Sequence, residues 1–165
     1  MAFQRQILLK RYWTSATPGV EEVLDTMRRK VAPTKILRVL DANYNRAKEG
    51  LRVCEDAARF LLDDGTLSIG FKRVRHALAL VMRTFGLKVI VASRDIEGDV
   101  GTGTISSERK RRGVEDVFYA NSQRVKESLR VLEEFAKISS PMSSEKFKRL
   151  RYSVYALEKK VLGRL

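Results

Sequence analysis

The chain has 165 residues, and 33 Lys or Arg against 20 Asp or Glu give it a formal net charge of +13. A hydrophobic content of 44% beside 32% charged residues suits a core-forming globule and excludes a disordered chain, and no apolar run reaches the roughly 20 residues that span a bilayer. One cysteine rules out an internal disulfide and a thiolate zinc site, and one histidine rules out a multi-histidine metal site within the chain.

The start, Met1 to Lys10, holds too short an apolar stretch and no small-residue cleavage site for a secretory signal, so a cytoplasmic location is expected. A single domain over 1–165 is the expectation from length. Basic residues cluster at Arg28, Arg29, Lys30, Lys35 and Arg38, at 109–112, and at Lys146, Lys148, Arg149 and Arg151. Such clusters suit a nucleic acid, another polyanion such as a nucleotide, or a solvated helix face.

In chain order, Thr17-Pro18 reads as the cap and first residue of a helix carrying Val20, Val23, Leu24, Met27 and Val31. Pro33 is expected to stop it and Thr34 to cap the next. From Lys35 to about Asp63, the stripe Leu37, Leu40, Tyr44, Ala47, Leu51, Cys54, Ala58, Leu61 steps by threes and fours, which predicts a long helix with one wall in a core. A third helix runs from Ser68 to Gly86 with Phe71, Val74, Leu78, Val81 and Phe85 inward, a fourth from about Val114 to Ile138, and a fifth from about Ser144 to Leu162. Between them, Val89–Val91 reads as a short strand without a partner, and 94–104 as a Gly-, Thr- and Asp-rich loop long enough to suggest function.

The strongest signal is internal repetition. Residues 42–59 match 120–137 with ten of 18 positions identical at an offset of 78, and 71–75 match 147–151 at an offset of 76. The predicted fold is therefore all-α, a helical bundle built from two repeated hairpins (about 36–86 and 114–163) plus an N-terminal helix and the Gly/Asp-containing loop. The shared residues are not only apolar: Asn43/Asn121, Arg46/Arg124, Lys48/Lys126, Glu49/Glu127, Arg52/Arg130 and Glu55/Glu133 recur. A step of three residues turns a helix by about −60°, so Asn and Arg flank one side of the apolar stripe and the last Glu returns on the other. An i,i+3 ladder of ion pairs accounts for part of this string. Asparagine gains little from such a ladder and has poor helix propensity, so its recurrence points to hydrogen bonding across the repeat axis or to a ligand. Cys54 on the apolar stripe reads as packing. His76 reads as a phosphate or cleft contact, or as a surface or interhelical hydrogen bond.

Residues 40–60 strongly resemble the opening motif of a helical domain family that occurs alone or fused ahead of thiamine-phosphate synthase. Lys72-Arg-Val-Arg-His76, Arg94-Asp95 with Asp99-Val-Gly-Thr102, and Ala120-Asn121 through Glu133-Glu134 look like its other signatures, and the likeness covers about residues 35–163. The resemblance implies an alternative hydroxymethylpyrimidine phosphate kinase, a phosphotransferase of thiamine biosynthesis using ATP and Mg²⁺, here in stand-alone form. It also implies a pyrimidine phosphate and a nucleotide as small-molecule partners, with a homodimer or a separate thiamine-phosphate synthase as possible protein partners.

The residue chemistry is compatible with that activity. Arg46, Arg52, Arg94, Arg124 and Arg130 suit bidentate phosphate clamps. Glu49, Glu55, Glu127, Glu133, Asp95 and Asp99 supply hard oxygen ligands for Mg²⁺. Gly101 and Thr102, within 99–104, can offer backbone N–H groups to phosphate, and Asn43 and Asn121 can read a pyrimidine edge. The expected catalytic set is Arg46, Glu49, Asp95, Arg124 and Glu127, with Asn43, Arg52, His76, Arg94, Asp99, Gly101, Thr102, Asn121 and Arg130 binding substrate or phosphate, and Glu55, Glu133 and Asp99 holding metal. Two competitors remain: a basic helical nucleic-acid-binding protein, disfavoured because the repeated string carries so many acids, and a non-catalytic partner of thiamine-phosphate synthase.

Overall fold

The computed structural model describes residues 33–100 and 111–164. Thr34–Leu165 form one compact unit, distinct from Met1–Pro33. The helix predicted over 17–31 lies outside the described residues, as do Gly101 and Thr102.

Five helices and no strand occur among the described residues: α1 (Pro33–Phe60), α2 (Gly65–Arg83), α3 (Leu87–Ala92), α4 (Val114–Ala136) and α5 (Pro141–Leu162). Their ends follow local chemistry. Pro33 opens α1. Asp64 caps α2 by accepting from the Leu67 N–H at 2.8 Å, so the helix begins at Gly65, three residues ahead of the predicted start. Ser140 caps α5 with Pro141 in its first turn, as expected of a residue that lacks an N–H where none is needed. The Asp64 carboxylate also meets Arg164, and the Leu67 N–H is the first cause of its lowered pKa.

The predicted strand Val89–Val91 is a correction, since these residues sit in α3. Gly86, at φ 78°, supplies the left-handed turn into it. Only Ile90 of the run is buried, while Val89 and Val91 are 56% and 53% exposed. A short apolar run does not reveal its period when no partner strand exists to hydrogen-bond it.

The remaining helices form two hairpins. α1 and α2 are joined by Glu55, which accepts from Arg75 at 3.0 Å, and α4 and α5 by Glu133, which accepts from Arg151 at 2.8 Å. The core takes Leu40, Ala47, Leu51, Cys54 and Ala58 from α1, and Phe71, Leu78 and Met82 from α2. From α4 and α5 it takes Phe118, Val125, Leu129, Leu132, Phe147 and Val154. Leu61, predicted inward, is 56% exposed, beyond the end of α1. No described helix is long and apolar enough to cross a membrane.

Two glycines let the hairpins approach. At Gly70 a Cβ would stand 2.6 Å from Leu157 of α5. At Gly50 it would stand 2.7 Å from Val125 Cγ2 and 3.0 Å from the Asn121 carbonyl oxygen of α4. Gly50→Ala gains about 1 kcal/mol of helix propensity, but the backbone oxygen cannot turn aside as a side chain can, and overpacking costs about 1–3 kcal/mol. The variant is expected to be less stable than wild type in urea titrations; equal or greater stability would show that α1 and α4 do not cross closely here.

The Cys54 thiol is fully buried, and its pKa is pushed up to about 12, first by burial and then by Glu158, with Lys126 opposing. A raised thiol pKa favours the native state at neutral pH, and that contribution is lost as pH climbs from the unfolded value near 9 toward 12. Native protein at pH 8 should leave Cys54 unlabelled by a disulfide-exchange reagent, with one thiol appearing on denaturation. Rapid native labelling would contradict this packing.

Candidate functional site

The polar repeat splits into two groups as it winds around the helix. Asn43, Arg46 and Glu49 of α1 meet Asn121, Arg124 and Glu127 of α4 in one cleft of about 530 Å³, whose floor includes Gly50 and its repeat counterpart Ser128. The close approach at Gly50 is what brings these two polar faces together.

Arg46, Glu49, Arg124 and Glu127 are all exposed to the cleft and have no ion-pair partner among the described residues. Two cations and two carboxylates therefore stand uncommitted in one concavity. The asparagines are partly committed. Asn43 Nδ2 donates to the Val39 carbonyl at 2.9 Å and Asn121 Nδ2 to the Val117 carbonyl at 2.8 Å. Each amide keeps its oxygen and one N–H for a ligand.

The second group turns away and serves the fold. Glu55 receives Arg52 at 3.3 Å as well as Arg75, and Glu133 receives Arg130 at 2.7 Å as well as Arg151. Glu55 and Glu133, expected to hold metal, have both oxygens of each buried carboxylate facing guanidinium groups. No cluster of three or more His, Cys, Asp or Glu among the described residues is arranged to hold a metal ion. Arg52 and Arg130 contribute nothing to the cleft lining, nor does His76, which is exposed on α2. Arg151 has its pKa raised, first by the Glu133 hydrogen bond, and stays a cation.

Beside the cleft, sharing Asn43 and Arg46 with it, a recess of about 660 Å³ is closed by the segment after α3. Arg94 donates to Asp41 through Nε at 2.5 Å and Nη2 at 2.9 Å, and this hydrogen bond is the first cause of its raised pKa. Arg38 donates to the Asp95 backbone oxygen at 3.0 Å and pairs with its carboxylate at 3.1 Å. Asp95 also accepts from the Gly98 N–H. Arg94, expected to bind phosphate, and Asp95, expected to be catalytic and to offer an oxygen to Mg²⁺, are first of all the pins that fasten this segment to α1. Asp99 lines the recess with Lys35.

Sequence reasoning missed Asp41, and it placed Lys35 and Arg38 only within a general basic cluster. Tyr119 occupies the repeat position of Asp41, so the search for duplicated polar residues passed over it. An Asp buried on an otherwise apolar stripe, with an Arg-Asp pair in the following loop, was the available signal.

A family model described as the ThiD2 family matches residues 38–160. Among curated proteins, the chain is 44% identical over 135 residues to a thiamine-phosphate synthase of Synechocystis sp., covering 81% of this chain and 38% of that protein. It is 42% identical over 133 residues to a thiamine-phosphate synthase of Rhodopirellula baltica, covering 78% and 36%. A thiamine-phosphate synthase of Nostoc punctiforme is 41% identical over 129 residues, covering 78% and 36%. The chain thus spans little more than a third of the length of these relatives. No solved structure matches it. With the family model covering 38–160 and relatives more than 40% identical over about four-fifths of the chain, the chain belongs to the ThiD2 family.

Proposed function

We propose that the chain is a phosphotransferase of thiamine biosynthesis that moves the terminal phosphoryl group of ATP onto hydroxymethylpyrimidine phosphate. The observation that carries this reading is the α1–α4 cleft, where Arg46, Arg124, Glu49 and Glu127 converge with no partners of their own among the described residues. Phosphoryl transfer is mainly positioning and charge neutralisation. Two unpaired guanidinium groups facing one cavity supply bidentate donors for the transferring phosphoryl oxygens.

The acceptor atom is an oxygen of a phosphate monoester, already anionic near neutral pH. Its attack on the terminal phosphorus forms one P–O bond as the bond to the leaving diphosphate breaks, and no general base is needed. Glu49 and Glu127 are therefore assigned to cation binding and not to proton abstraction. Mg²⁺ is commonly held by one or two carboxylates together with substrate phosphates, and this pair fits that mode although no all-protein cage exists among the described residues. When bound there, Mg²⁺ supplies neutralisation of the phosphate charge. Asn43 and Asn121 orient the pyrimidine through their free amide groups.

The test is an ATP- and Mg²⁺-dependent assay with hydroxymethylpyrimidine phosphate, reading diphosphate product by phosphorus NMR. Absence of product with folded protein in excess overturns the reading. A second reading, a non-catalytic partner of thiamine-phosphate synthase, is favoured by the names of the relatives; co-purification with a synthase and no phosphoryl transfer would establish it.

A further inference from the structure

The repeat lays the same helix stripe at both ends of the α1–α4 cleft, yet the two ends carry different residues. Beyond Glu49 and Gly50, the α1 face continues through Val53, Ala57 and Phe60. It meets Val114 and Val117 of α4 around a mainly apolar cavity of about 600 Å³. Phe60 is 62% exposed there. The cavity and the cleft adjoin: the Val117 carbonyl that lines one side accepts the amide of Asn121, which lines the other.

At the opposite end, the repeat counterparts differ in two ways. Phe135 stands where Ala57 does and packs against the core. Glu134, the counterpart of Asp56, is bound by Arg130 at 2.7 Å and Lys137 at 2.8 Å. Asp56 itself lines the cavity and has no hydrogen-bond or ion-pair partner among the described residues. The cavity beside Phe60 thus pairs a small residue, Ala57, with an uncommitted carboxylate, Asp56, in its wall.

We infer that this cavity seats the base of an amino-bearing purine nucleotide, with its phosphates running into the cleft toward Arg124 and Arg46. Apolar walls take the faces of a flat heterocycle, and Asp56 accepts from the exocyclic amine. Val117 and Val114 lie seven and ten residues before Arg124, about 10–15 Å along the helix at 1.5 Å per residue. An extended nucleoside triphosphate bridges that span, whereas a single-ring phosphate ester does not. Arg112 at the cavity rim adds positive charge beside the sugar and phosphates. The assignment rests on the phosphotransferase reading and adds to it which ligand lies where: the pyrimidine phosphate is left the cleft centre and the recess of Lys35 and Asp99.

Calorimetric titration of the full chain without acceptor tests it, using ATP, the triphosphate of purine riboside (which lacks only the amine) and inorganic tripolyphosphate. ATP should bind about tenfold or more tighter than the purine riboside analogue, since the analogue leaves the charged Asp56 acceptor without its donor, and tighter still than tripolyphosphate. Asp56→Asn should erase most of the preference for the amine. Ala57→Phe, which copies the repeat counterpart Phe135, should weaken ATP by at least about tenfold and leave tripolyphosphate unchanged. Val117→Trp, at a half-exposed site, does the same if Ala57→Phe fails to fold. Equal binding of ATP and tripolyphosphate, or an ATP affinity that ignores all three substitutions, overturns the assignment while the phosphate cleft stands. Failure of all three ligands to bind overturns both.

Discussion

Arg124→Ala is expected to lower turnover in the hydroxymethylpyrimidine phosphate assay by roughly 10²–10³-fold, the usual loss when one preorganised donor to a developing oxyanion is removed. The fold should not notice. The Arg124 side chain is exposed in the cleft and has no partner among the described residues, so the stability change should stay within about 0.5 kcal/mol. Arg46→Ala should behave alike, since it faces Arg124 across the same cavity. Arg124→Lys keeps the charge but loses the planar fork, so it should recover only part of the rate. The informative control is Arg130→Ala. Arg130 is equally exposed and equally part of the repeated string, but it is spent on Glu133 and Glu134, so its loss should leave turnover near the wild-type value. If Arg130→Ala and Arg124→Ala fall together, the +13 charge acts as a diffuse field and the cleft is not where transfer occurs.

That contrast also marks how far the sequence reaches. Identity at a constant offset of 78 exposed Asn43, Arg46 and Glu49 with their counterparts, because a duplicated helix crossing its twin must bring equivalent residues to one place. The same identity led to a metal role being expected of Glu55 and Glu133. Glu55 and Glu133 recur because each hairpin needs a carboxylate to receive the arginine of its second helix, so repetition here has a packing cause. Helical winding separates the two groups: three-residue steps carry Asn, Arg and Glu into the cleft and the next Arg and Glu out of it. What the repeat could not reveal is what breaks it. Asp41 opposite Tyr119, Ala57 opposite Phe135 and Met82 opposite Glu158 are differences, and their meaning depends on which neighbours the fold supplies. The short helix α3 was illegible for a simpler reason: six residues hold less than two turns of any period.

The difference at Glu158 carries the largest expected stability effect. Lys48 and Lys126 are identical in the repeat, yet Lys48 is exposed near the Tyr44 ring while Lys126 is buried. Lys126 Nζ donates to both Glu158 oxygens at 2.6 and 2.7 Å, and Ser122 donates to the same carboxylate at 2.8 Å. The rings of Tyr119 and Tyr155 lie near the ammonium. Lys126→Ala strands the Glu158 carboxylate, which retains Ser122 as a hydrogen-bond donor, in a site 8% exposed; removing one partner of a buried ion pair costs about 3–5 kcal/mol. The N-terminal hairpin shows the alternative, because Met82 sits where Glu158 does and is fully buried. Replacing Lys126 and Glu158 together by methionine, with Ser122→Ala so that no hydroxyl is orphaned, should return most of the lost stability, since apolar substitutes for buried ion pairs are often neutral or better. Urea titration of the single and triple variants decides it. A single-variant loss below about 1 kcal/mol, the range of exposed pairs, would mean that water reaches Glu158 and that the pair does not discriminate the two hairpins. A large loss fully recovered in the triple variant would locate its value in keeping α5 on α4, and not on its repeat partner α1.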